Sequence, residues 1–161
     1  MKSVALAAAL WCAWAGGARA DAPAHEITLC QPAEAVLFAC DLGTRRVALC
    51  RAAGEQAPLV YRYGRPGRVE LQHIAPAAMF WRREHLLYGG ELIVLGFTRR
   101  GWDYQLYARV GRSGGGTSDE RVPEFEDGLQ VGRSGTEGQR RVCVDGGAGF
   151  RAGLDFVQTR P

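Results

Sequence analysis

Three cysteines at ten-residue intervals, Cys30, Cys40 and Cys50, constrain this chain more than any other feature of its sequence. They open a stretch, ending near Leu71, that carries two β-hairpin patterns. Ala35 to Cys40 is rich in Val, Leu and Phe, Leu42-Gly43-Thr44 interrupts it, and Arg46 to Arg51 resumes. Leu59 to Tyr63 and Arg68 to Gln72 flank Gly64-Arg65-Pro66-Gly67, with Pro and Gly in the order of a type II turn. In the first hairpin, a turn at Gly43-Thr44 places Asp41 opposite Arg46 and Cys40 opposite Val47. Cys50 then faces Leu37, on the other side of the ribbon from Cys40. A Cys40–Cys50 bridge is therefore disfavoured unless a bulge shifts the register.

The N-terminus shows why the cysteines matter. Lys2, an apolar run from Val4 to Ala15, and Ala18-Arg19-Ala20 have the layout of a secretory signal cleaved after Ala20. The expected organisation is a signal peptide over 1–20 and one β-rich domain over 21–161. No later segment approaches the ~18 apolar residues of a membrane helix. In an exported chain the remaining even set, Cys30, Cys40, Cys50 and Cys143, implies two disulfides. Cys30 is expected to take Cys40 or Cys50, and Cys143 the other, closing a loop of roughly 90–100 residues. The C-x9-C-x9-C spacing lacks the close thiolate pairs of a zinc site, so no metal and no cofactor is expected. Loss of Lys2 and Arg19 reduces the cationic count from 20 to 18, all Arg, against 17 acidic residues. A net charge of +1 gives no reason to expect a nucleic-acid partner.

Downstream, Glu91–Thr98 and Trp102–Val110 form a third hairpin around Arg99-Arg100-Gly101. Trp102, Tyr104, Leu106 and Ala108 point one way, with Asp103, Gln105 and Tyr107 opposed. Between the second and third hairpins a strand near Ala78–Arg82 is expected, although helix competes across 74–88. Residues 111–120 are Gly- and Ser-rich and read as a flexible connection. Leu129–Val131, Arg141–Val144 and Leu154–Val157 complete eight to ten short strands. The fold class is all-β: a small disulfide-stapled barrel or sandwich of antiparallel hairpins.

Motifs for catalysis are weak. Gly111-Arg112-Ser113-Gly114-Gly115 matches a nucleophile elbow, but no strand–helix pattern supports it. His25, His73 and His85 are scattered and read as surface residues. Glu124, Glu126 and Asp127 read as a solvated acidic loop, too short a ligand pattern for calcium. No catalytic residue is assigned. A carboxylate-dependent hydrolase acting on envelope material is the alternative function, with Glu70 and Glu91 its candidates by elimination.

The second hairpin supplies the candidate binding residues. A turn at Pro66-Gly67 puts Tyr61, Tyr63, Arg68 and Glu70 on one face, an aromatic and charged combination of the kind binding sites favour. Val60, Val69 and Leu71 fall on the other, which is expected to be the core side. Arg62 lands among them and must reach the rim or find a carboxylate. C-x9-C-x9-C followed by Tyr61-Arg62-Tyr63-Gly64 and Glu70, with the later aromatic hairpin, resembles a group of small uncharacterised exported bacterial proteins. That resemblance covers roughly Cys30 to Val110 and implies a β-rich fold and a periplasmic or secreted location. It carries no activity. The function expected is non-catalytic binding of a protein or of a cell-envelope glycan.

Overall fold

Alternating apolar positions over Val- and Leu-rich segments generate strands that must bury one face, and this chain solves the problem with two stacked sheets. The computed structural model describes residues 28–54, 56–112, 123–144, 146–151 and 153–160. The expected signal peptide, His25, Ser113 and most of the Gly- and Ser-rich stretch lie outside these residues. The first sheet is a meander of β1 (Ala35–Asp41), β2 (Arg46–Arg51), β3 (Leu59–Arg65) and β4 (Arg68–Ala75). The second is a meander of β5 (Trp81–Leu87), β6 (Gly90–Arg99), β7 (Trp102–Arg112), β8 (Pro123–Arg133) and β9 (Gln139–Val142). All sheet neighbours are antiparallel. Each sheet remains open, so the architecture is a sandwich rather than a barrel.

The core lies between the sheets. Phe38, Val47, Leu49, Leu59 and Tyr61 of the first meet Leu95, Phe97, Leu106 and Leu129 of the second. At about 25 cal/mol per Å² of apolar surface, this layer is the main favourable term of the fold. A second, smaller cluster lies on the outer face of the first sheet, where Leu29 and Cys30 cover Ala48, Cys50 and Val60.

The disulfides follow the two faces. Asp41 pairs with Arg46 and Cys40 with Val47, as the turn chemistry predicts. Cys40 points into the inter-sheet core and bonds Cys143, 103 residues away. Cys50 points outward and bonds Cys30, 20 residues away. A bulge between Val36 and Phe38 makes Val36, not Leu37, the partner of Cys50. The freed Leu37 carbonyl accepts a hydrogen bond from Arg151 N–H at 2.8 Å, and Asp41 O accepts one from Val144 N–H at 2.8 Å. The C-terminal segment thus runs along the open edge of β1. Farther on, Arg82 N–H donates to Gln158 O and Arg160 N–H to Arg82 O, so the same segment also meets the start of the β5 edge. At these positions the edges are occupied and cannot pair with another chain.

Three expected elements are corrected. The strand expected at Ala78–Arg82 is a short 3-10 turn, Ala77–Met79, followed by a strand that begins only at Trp81. Pro76 lacks the N–H that would continue a ladder, and the chain changes sheets there. The acidic run at 124–127 is not a loop but the start of β8. Asp127 turns inward, 3% exposed, and accepts a hydrogen bond from Gly149 N–H. Leu154–Val157 is a turn, closed by Val157 N–H to Leu154 O, whose two ends are buried in the core.

Candidate functional site

One bulge in β4 decides which of its side chains share a face with the tyrosines of β3. In the β3–β4 hairpin, Arg65 pairs with Arg68 and Gly64 with Val69, the register of a Pro66-Gly67 turn. The register then shifts by one, leaving Glu70 extra, so that Tyr63 meets Leu71 and Tyr61 meets His73. A one-residue shift exchanges the faces of everything beyond it. Tyr61, Tyr63, Arg68 and Glu70 therefore do not share an exposed face. Tyr61 is 1% exposed in the inter-sheet core, and Tyr63 is half-buried beside it with Leu71. Val60, expected in the main core, belongs to the outer cluster, and Val69 is exposed. Arg68 is exposed at the turn, and Glu70 is ion-paired to Arg45 at 2.7 Å.

Arg62 finds its carboxylate. It is 4% exposed on the outer face and makes a two-pronged pair with Glu34, its Nη2 lying 2.8 Å from Oε1. Its Nε donates to Gln72 Oε1 at 3.1 Å and its Nη1 to Leu29 O at 3.3 Å. The guanidinium holds the Glu34 carboxyl below its ordinary range, against the opposing effect of burial. Glu34 lies close to the sulfurs of Cys30 and Cys50 in a cluster with metal-ligand chemistry. Those sulfurs are bonded to each other, and a disulfide is not a thiolate ligand.

The two tyrosines open onto an aromatic cleft that β3 and β4 form with β7, β8 and β9. Its volume is about 250 Å³, and Tyr61, Tyr63, Trp102, Tyr104, Gln139 and Arg141 contribute its rings and polar groups. Tyr61 forms the floor, edge-on to Phe97 at 5.0 Å and to Tyr104 at 5.8 Å. Behind it, Phe97 is stacked between Tyr104, at 5.0 Å, and His73, at 4.3 Å. Burial drives the Tyr61 phenol strongly upward, so it stays neutral. His73 is not a surface residue: it is half-buried, and burial together with the Arg99 charge lowers its pKa. Tyr63 receives a hydrogen bond from Arg141 Nη1 at 3.3 Å, and Trp102, 39% exposed, has the Arg133 guanidinium 5.2 Å from its ring centre.

Such a cleft presents ring faces and hydrogen-bond donors around a space for one ring-sized group. Of the four candidate binding residues, the structure places Tyr61 and Tyr63 here and puts Arg68 and Glu70 elsewhere. The alternation of Trp102 and Tyr104 in β7 was the readable signal for the opposite wall. Gln139 and Arg141 had none, because β9 carries no apolar alternation. The carboxylate pair that a hydrolase requires is not in this cleft among the described residues: none of those lining it is acidic, and Glu91 is exposed on β6. In comparisons with protein-family models, curated proteins and solved structures, nothing matches this chain.

Proposed function

We propose that this protein is an exported, non-catalytic β-sandwich that binds a cell-envelope glycan through the aromatic cleft. The observation that carries this reading is the cleft's lining: accessible Trp102 and Tyr63 rings flanked by Gln139 and Arg141, without a carboxylate among the described residues. Aromatic faces take the apolar side of a sugar ring, while amide and guanidinium groups take its hydroxyl and carbonyl oxygens. The volume favours a single ring over a protein segment as the group inserted. Two disulfides fit a periplasmic or secreted setting, and no helix among the described residues is long and apolar enough to cross a membrane. Kinship with small exported bacterial β-proteins belongs to the same proposal.

The test is titration of the oxidised protein with soluble N-acetylglucosamine oligomers and with solubilised peptidoglycan fragments, followed by tryptophan fluorescence and calorimetry. Trp102→Ala is expected to weaken binding about tenfold or more, the loss of roughly 1.4 kcal/mol. Its melting temperature should stay near wild type because Trp102 is half outside the core. Absence of saturable binding to either glycan, or undiminished affinity in Trp102→Ala, refutes the reading.

A further inference from the structure

The outer face of the second sheet carries a separate cavity. It measures about 240 Å³ and is walled on one side by Leu87, Leu92 and Val94 and on the other by Gln105, Tyr107, Arg109, Gln130 and Arg140. Sheet parity puts these residues on the side opposite the aromatic cleft. An open outer sheet face is usually covered by solvated charge of both signs. Among the described residues the lining of this cavity holds two guanidiniums and no carboxylate, with Glu126, opposite Arg109 in the β7–β8 register and paired to Arg140, on the same face.

Its polar groups are only partly satisfied within the protein. Arg109 makes no ion pair among the described residues, whereas Arg140 shares Glu126. Tyr107 is 4% exposed, and its buried hydroxyl makes no hydrogen bond of good geometry among the described residues, although the Arg140 guanidinium and the Glu126 carboxylate lie beside it. The Arg140 guanidinium lies 4.4 Å from the centre of its ring. The ring rests across β8 at Gly128, where a Cβ would come within 2.3 Å of the phenol oxygen and of the Arg141 carbonyl. Glycine is therefore required there for the tyrosine to lie flat. Burial raises the phenol pKa, which keeps the proton on it and leaves it a donor.

We infer that this cavity is a binding site for a small organic carboxylate with an apolar body. The guanidinium of Arg109, with that of Arg140 and the amides beside them, offers the donors a carboxylate accepts from two or more directions. Leu87, Leu92 and Val94 offer the surface that an uncharged ring or short chain would cover. The site does not depend on the glycan cleft, from which the sheet itself separates it.

Benzoate is the probe, with benzamide as its neutral counterpart and inorganic phosphate as an anion without an apolar body. Titration of the full oxidised chain, followed by amide and arginine side-chain NMR shifts, is expected to show saturable benzoate binding of roughly millimolar affinity, as suits so small a ligand. Shifts should centre on β6, β7 and β8. Benzamide and phosphate should each bind at least about tenfold more weakly. Arg109→Gln should weaken benzoate about tenfold and Tyr107→Phe a fewfold, both with near-normal melting, while Trp102→Ala leaves benzoate affinity unchanged. The inference is overturned by absence of saturable benzoate binding, by equal binding of benzamide or phosphate, or by undiminished affinity in Arg109→Gln.

Discussion

At the scale of single residues, two titrating groups tie this fold to pH. Glu34 is paired with buried Arg62, so its carboxyl has a lower pKa folded than unfolded. The stability it contributes is complete above its ordinary value of 4.5 and is lost as pH falls through the depressed folded value. His73 is lowered from 6.5 by burial in the aromatic stack and by Arg99. Between its folded and unfolded values the unfolded chain binds more protons, so stability begins to fall as pH drops below about 6.5. The urea midpoint should therefore decline in two steps on acidification. His73→Phe is expected to remove the upper step, and a single step in wild type refutes this assignment. Glu34→Gln leaves Arg62 buried without a counter-charge and should cost about 3 kcal/mol at neutral pH. Replacing both partners, Glu34→Leu with Arg62→Met, should recover most of that loss, since apolar substitutes of similar size need no pairing. Chemical denaturation of the three variants measures all of it.

At the scale of elements, the β3–β4 hairpin shows how little sequence separates two opposite faces. Its turn forms in the register that Pro66-Gly67 specifies, and the bulge at Glu70 then puts Leu71 and His73, rather than Glu70 and Gln72, opposite Tyr63 and Tyr61. Gly64 makes the bulge possible. Its φ is +156°, and a Cβ there would fall 2.4 Å from Arg68 O and 2.7 Å from Glu70 N. Both neighbours are backbone and cannot swing aside. Gly64→Ala should destabilise by about 2 kcal/mol, within the range for side chains forced against a special backbone geometry. It should also disturb the cleft, measurable as changed exposure of Trp102 to a fluorescence quencher. Gly67→Ala strains only the exposed turn, where a Cβ meets nothing within 4 Å, and should leave the cleft unchanged.

At the scale of the whole molecule, the two disulfides do different work because they lie on different faces. Cys40–Cys143 fastens the end of the second sheet to the first strand of the first, beside the backbone contacts of Val144 and Arg151. Its loop of 103 residues is worth about 4–5 kcal/mol in the chain-entropy description. Cys30–Cys50 closes 20 residues and is worth about 3 kcal/mol, with the added effect of holding Leu29 and Glu34 over Arg62. Replacing Cys40 and Cys143 together by Ser should lower the melting temperature more than replacing Cys30 and Cys50. Only the second replacement should expose the Arg62 cluster to fast amide exchange while the inter-sheet core stays protected. Equal losses with identical exchange patterns would contradict this division.

The β class, the hairpin turns, the opposite orientations of Cys40 and Cys50, and the need of Arg62 for a carboxylate were all legible in the chain, because each depends on neighbours a few residues away. Alternation over Ala35–Cys40 and the Gly43-Thr44 turn sufficed to separate the two cysteines onto different faces. Which carboxylate Arg62 would find, and which rings would meet across the gap, depended on long-range packing. Glu34 is 28 residues from Arg62, and Arg141 is 78 from Tyr63. The bulges at Leu37 and Glu70 were equally hidden: an extra residue costs local hydrogen bonding and is retained only where packing beyond it repays that cost. Local periodicity states that a strand has two faces. Only the sheet stacked against it decides which face is inside.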